Sequence, residues 1–198
     1  VTTNTTTETT TAVTRTVDGA ELPLSGTYGL DVSHTEVGFA AKHLMVSKVR
    51  GRFTDFSGTV VIGDDPADSS VDVEIAAASI TSRDDKRDEH LRSPDFLDVE
   101  QFPTVTYRSS AVRPASRGHW LVDGELTIHG VTRPVQLDVE FEGASRSPWN
   151  TVAVGFSAEA KIDREDFGLT WNQALETGGV LVGKQVTIHI EAELSPAS

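Results

Sequence analysis

The chain contains no cysteine, which removes disulfides and thiolate metal ligands and leaves the redox compartment open, because a cysteine-free chain folds in either environment. It also lacks any apolar run near the roughly 20 residues that carry a helix across a bilayer, so a membrane role is expected to be peripheral. Basic residues are scarce: 17 Lys and Arg stand against 30 Asp and Glu, a formal net charge of −13 over 198 residues. That balance repels phosphate backbones, and nucleic acid is not expected as a partner. No leader-like apolar segment is seen in the chain, which favours the cytoplasm, or the periplasm or exterior had a leader been trimmed.

Hydrophobic residues make up 37% of the chain, and 16 glycines bring the apolar share to ordinary globular levels. One domain with a sizeable core is expected. Ten of the first sixteen residues are threonine, so residues 1–24 read as a disordered, solvated tail and 25–198 as the folded domain. Asn4-Thr5-Thr6 is a glycosylation sequon in form only.

From Gly26 onward a period of two dominates. Val37, Phe39, Ala41 and His43 share one parity, as do Val71, Val73 and Ile75, then Trp120 and Val122, then Val135, Leu137, Val139 and Phe141, each series alternating mostly with polar or small residues. Similar runs cover residues 49–62, 104–112, 152–162 and 186–194, linked by turns such as Gly63-Asp64-Asp65-Pro66 and His129-Gly130. The pattern predicts an all-β fold of about eight antiparallel strands, a number that closes into a barrel able to hold one ligand. Small inward residues, Ala41, Gly51 and Gly124, are expected to leave its interior hollow.

One segment breaks the alternation. Over residues 82–93 a short charged helix is predicted, capped by Thr81 or Ser82, with Asp84 and Asp85 in its first turn and Pro94 as its stop. Its one large apolar residue is Leu91, so it lies at the surface, pinned by Leu91, Phe96 and Leu97. It reads as a lid over one barrel mouth, or else as a plain connector.

Chemistry-bearing motifs are few. Gly178 to Lys184 begins like a phosphate loop, but Gln185 stands at the hydroxyl position and a strand follows. The six histidines show no metal-ligand spacing. Asp31, Ser33 and His34 are the residue types of a hydrolytic triad, yet they look like successive positions of an extended segment. No positive sign of catalysis is found, and no cofactor is expected.

Four ordered motifs do carry a resemblance. Asp31 to Phe53 (DVSHTEVGFAAKHLMVSKVRGRF), Arg87 to Pro103 (RDEHLRSPDFLDVEQFP), Leu126 to Pro134 (LTIHGVTRP) and Arg164 to Leu169 (REDFGL) together resemble the YceI-like family of bacterial lipocalin-like barrels. The departures are Leu97, where a second aromatic is common, and Lys184, where an acidic residue is frequent. The resemblance implies a non-enzymatic carrier, typically homodimeric, that encloses a polyisoprenoid, an isoprenoid quinone or a fatty amide. Inward candidates for the lipid tail are Phe39, Ala41, Phe53, Ile75, Val105, Tyr107, Trp120, Val122, Leu137, Val139 and Phe156. Head-group candidates are His43, Arg87, His90 and Trp171. The rival readings are an enzyme acting on such a lipid and a structural dimer with a filled barrel.

Overall fold

The computed structural model describes residues 12–115, 118–176 and 178–197. A hairpin of β1 (Thr14–Val17) and β2 (Ala20–Pro23) precedes the main sheet. That sheet contains β3 (Gly26–Leu30), β4 (Glu36–His43), β5 (Ser47–Phe53), β6 (Phe56–Ile62), β7 (Ser70–Ala76), β8 (Ile80–Thr81), β9 (Thr104–Pro114), β10 (His119–Ile128), β11 (Val131–Arg146), β12 (Val152–Asp163) and β13 (Val182–Pro196), with one helix, α1 (Asp85–Arg92), between β8 and β9.

The first three long strands are each broken once. β3 and β4 both pair with β13, β6 and β5 pair with them in turn, and β7 and β8 continue the order. With each broken pair taken as one bent strand, the chain is an eight-stranded antiparallel meander. Pairing of β12 with β13, from Val154–Leu194 to Asp163–Gln185, closes it into a barrel. The expected fold class is therefore the observed one. Alternation explains the closure: along β13, Val186, Ile188, Ile190, Ala192 and Leu194 face the interior, and Gln185, Thr187, His189, Glu191 and Glu193 take the opposite parity. His129 and Gly130, with φ of 52° and 70°, make the two-residue turn between β10 and β11. Glycine is required there twice over, since a Cβ on Gly130 would lie 2.5 Å from the Phe102 ring.

Three expectations need correction. Residues 1–11 of the expected tail lie outside the described residues, but Thr14–Pro23 is an ordered hairpin, turned at Asp18-Gly19 with φ of 50° and 82°. Leu22 and Pro23 are buried, and Arg15 fastens the hairpin to the barrel, donating from Nε to Pro23 O at 3.2 Å, from Nη1 to Asp64 O at 2.7 Å, and from Nη2 to Gly63 O. Threonine content suggested solvation, but threonine is also a strand former, and Asp-Gly between Val17 and Leu22 is hairpin chemistry.

Secondly, α1 is capped by Asp84, whose side chain accepts from Arg87 N at 3.1 Å, and not by Thr81 or Ser82. Thirdly, Gly51 and Gly124 do not leave space. A Cβ at Gly51 would meet the Phe39 ring at 2.4 Å, and one at Gly124 the Tyr107 ring at 2.6 Å, so these glycines make room for aromatic rings that lie across them.

The hairpin sits at the end of the barrel that also carries the 63–69 and 147–151 turns, while α1 and the 164–181 connection sit at the other end. Deletion of residues 1–24 should leave the barrel's own strand signal in far-UV circular dichroism and raise the fluorescence of a bound apolar dye, because Leu22 and Pro23 no longer cover that end. Unchanged dye binding would show that the hairpin covers nothing.

Candidate functional site: an apolar cavity inside the barrel

The barrel is not packed solid. Its interior holds a cavity of about 330 Å³, within the range of roughly 300–1,000 Å³ usual for small-molecule sites. All eleven residues expected to face a lipid tail stand in its wall: Phe39, Ala41, Phe53, Ile75, Val105, Tyr107, Trp120, Val122, Leu137, Val139 and Phe156. Leu22 and Pro23 from the hairpin belong to the wall at one end; Ile80, Leu91, Phe96 and Leu97 belong to it from the β8–β9 excursion. The chain thus contributes a stopper to each end of its own barrel.

The polar groups of the wall are almost all accounted for internally. Tyr107 Oη lies 2.9 Å from Val122 O and 3.3 Å from Val135 O, and burial pushes its pKa up, so it stays a neutral hydroxyl. Thr35 Oγ1 donates to Glu193 O at 3.3 Å and accepts from Glu193 N at 3.1 Å. Among the described residues, Arg164 is the one charged residue of the wall. It begins a turn whose N-cap is Asp163 and whose C-cap is Gly168 at φ 79°, and it is buried with Phe167. In the sequence Arg164 opens the REDFGL motif. Flanked by Lys161, Asp163, Glu165 and Asp166, it looks like one more solvated charge.

The four expected head-group residues lie outside the cavity wall. Arg87 donates from Nε to Ser82 Oγ at 2.7 Å and from Nη2 to Ser82 O at 2.9 Å, tying the helix to its own approach. His90 holds Asp95 Oδ2 at 2.9 Å and meets Phe96 and Trp171 edge-on, with ring centroids 5.1 and 4.6 Å away. Trp171 therefore packs against the lid and not in the cavity wall. His43 is half-buried at the end of β4, where its carbonyl accepts from Ser47 Oγ.

The lid is also more firmly held than three apolar anchors would make it. Asp88 is buried and accepts from Ser82 N at 2.7 Å and from Ser82 Oγ. Burial alone would raise its pKa, but hydrogen bonds from Ser82 and Thr81 and the nearby Arg92 charge outweigh that and hold it below the usual carboxylate range. Arg92 reaches under the helix to Ala78 O at 2.7 Å and Ile80 O at 2.6 Å.

Asp31, Ser33 and His34 do converge, contrary to the sequence reading, because residues 31–35 form a turn between β3 and β4 and not an extended segment. Ser33 Oγ donates to Asp31 Oδ1 at 2.6 Å, and His34 Nδ1 lies 3.0 Å from Asp31 Oδ2 and 3.7 Å from Glu193 Oε1. The same imidazole nitrogen faces both the serine and the carboxylates, at 3.1 Å from Ser33 Oγ. A relay from nucleophile to base to orienter needs the two opposite ring nitrogens, so this is not a triad. Asp31, His34 and Glu193 also group one imidazole and two carboxylates within 4.8 Å, an arrangement their mutual ion pairing explains.

A family model described as the YceI-like domain matches residues 28–194. The chain belongs to the YceI-like family. A UPF0312 protein of Staphylococcus aureus is 39% identical over 171 residues, covering 85% of this chain and 96% of that protein. The YceI protein of Campylobacter jejuni superimposes with a TM-score of 0.67 at 31% identity, over 85% of this chain and 97% of that one. A polyisoprenoid binding domain from Saccharophagus degradans, implicated in plant cell wall breakdown, shares the fold with a TM-score of 0.63 at 16% identity, covering 86% and 98%. The β1–β2 hairpin precedes the residues matched to the YceI-like model.

Hydrogen bonds from Ser33 and His34 hold the Asp31 carboxyl down at about 2, and the bond to Asp31, its charge and that of Glu193 raise the His34 pKa. A raised folded-state value means that this contact contributes stability below the ordinary histidine value of about 6.5 and loses it as pH rises through the raised one. An NMR titration should place His34 above about 6.5 and return it toward that value in Asp31→Asn. An unshifted His34 would remove the ion pair from the account.

Proposed function

We propose that this YceI-like protein binds a long apolar lipid inside its barrel: a polyisoprenoid, an isoprenoid quinone or a fatty amide. The observation that carries the reading is the enclosed cavity whose wall is apolar except for a few satisfied groups and one arginine. Burial contributes about 0.8 kcal/mol per methylene, and a neutral hydrogen bond about 1 kcal/mol, so a chain of several isoprene units is held mainly by its tail. The head group then sets orientation. The polyisoprenoid-binding domain of the same fold supports the class of ligand. Carriage or storage of that lipid, and a homodimeric state, complete the proposal on the family resemblance.

A binding role fits the interior better than catalysis. Acid–base chemistry on a lipid needs a proton donor and acceptor of matched pKa near the reacting atom. Among the described residues, the wall's ionisable side chains are Tyr107, whose hydroxyl is held by two carbonyls, and Arg164. A purely structural barrel is disfavoured by the hollow interior.

Ala41→Trp adds an indole to the cavity wall. It should reduce uptake of a fluorescent isoprenoid analogue while leaving the thermal midpoint nearly unchanged, because the indole occupies space that the lipid takes. Overpacking a filled core costs about 1–3 kcal/mol. A large fall in midpoint with unaltered uptake would therefore argue for a filled barrel.

A further inference from the structure

Arg164 is 3% exposed, and its Nη2 is the one buried side-chain nitrogen or oxygen among the described residues with no hydrogen-bond partner. The rest of the guanidinium is engaged by neutral carbonyls: Nε donates to Gly183 O at 3.1 Å and Nη1 to Leu169 O. The two nearest carboxylates in sequence are occupied elsewhere. Asp163 Oδ1 accepts from Glu165 N at 2.9 Å, and Glu165 Oε2 is held by Lys184 Nζ at 2.6 Å. Burial depresses the arginine pKa, against the pull of the Glu165 and Asp163 charges, but a guanidinium starts so high that it stays cationic. The protein therefore keeps a buried positive charge, without a paired anion, behind the wall of an apolar cavity that the arginine side chain helps to line.

Such a charge is costly to maintain. Native structures pair buried charges, and an unsatisfied buried donor costs more than a typical hydrogen bond returns. Nη2 keeps its donors for a charge-assisted hydrogen bond to a carboxylate or phosphate oxygen. Its place matters as well. Arg164 lies next to Ile162, Leu169 and Val182 at the barrel end covered by α1, whereas Leu22 and Pro23 close the far end. A molecule with a head at Arg164 has the length of the cavity for its tail.

We propose that Arg164 is the head-group anchor of the cavity and that it selects lipids whose head presents an anionic oxygen, a carboxylate or a phosphate, over neutral lipids with the same tail. This rests on the lipid-binding reading and narrows it. Lys184 contributes indirectly: by holding the Glu165 carboxylate outside, it leaves Nη2 without a protein anion.

The test is equilibrium binding of matched pairs to the full chain: oleic acid against oleyl alcohol, and geranylgeranyl phosphate against geranylgeraniol. At least one anion should bind about tenfold or more tightly than its alcohol, and which pair discriminates tells carboxylate from phosphate. Arg164→Met should erase that preference by weakening the anion and leaving the alcohol unchanged, and Arg164→Lys should keep part of it. In wild type, the Arg164 Nε–H resonance should shift with the anion and not with the alcohol. Equal affinity for acid and alcohol in both pairs overturns the proposal even if Arg164→Met does not fold. Equal weakening of both by a folded Arg164→Met overturns it too, and assigns the arginine a structural role. Failure of all four compounds to bind would instead overturn the lipid reading on which it stands.

Discussion

The pairing of β12 with β13 is the interaction on which the rest depends. Along the ladder from Val154–Leu194 to Asp163–Gln185 it converts an eight-stranded meander into a closed ring with no free edge. Closure forces one parity of every strand into a shared interior, and the interior-facing residues are Val, Ile, Leu, Phe and Ala in most positions. Aromatic rings fill it in places, Phe39 across Gly51 and Tyr107 across Gly124, but they leave about 330 Å³ between them. An apolar hollow of this kind loses the dispersion contacts that a packed core would have. An apolar guest restores them.

A closed ring still has two ends, and the chain covers each by a different device. At one end, α1 and the Phe96-Leu97 turn put apolar side chains into the wall, while Asp88, Arg87 and Arg92 fix the helix through hydrogen bonds to Ser82, Ala78 and Ile80. At the other, Leu22 and Pro23 are held in place by the Arg15 guanidinium on the carbonyls of residues 23, 63 and 64. Both fastenings are polar and lie around the cavity. Opening either end therefore means breaking hydrogen bonds that water can replace, whereas the barrel's apolar interior need not be exposed to solvent for long.

Much of this was legible in the residues. Alternation in β4 and β11 gave the inward face, and Phe39, Ala41, Leu137 and Val139 stand in the cavity wall, though His43 and Phe141, of the same parities, do not. Alternation fails where chemistry is local. Asp31, Ser33 and His34 read as extended but turn back on one another, because Asp31 accepts from both the Ser33 N–H and its hydroxyl. The tail composition masked the Asp18-Gly19 hairpin. Polar residues on motif positions were the poorest guides: Arg87 and His90 are polar because the lid must be fastened, and their partners, Ser82 and Asp95, are visible only once the chain is folded. Arg164 is illegible for the opposite reason, since nothing in its neighbours shows that one of its nitrogens ends up buried without a partner.

The central claim is that the barrel interior is a lipid site. Organic extraction of the protein purified from its own host, followed by lipid mass spectrometry, tests it most directly. One long-chain lipid is expected in near-equimolar amount with the protein, lost when the cavity is filled by substitution. Extracts free of lipid, from a protein that also takes up none when it is offered, would contradict it.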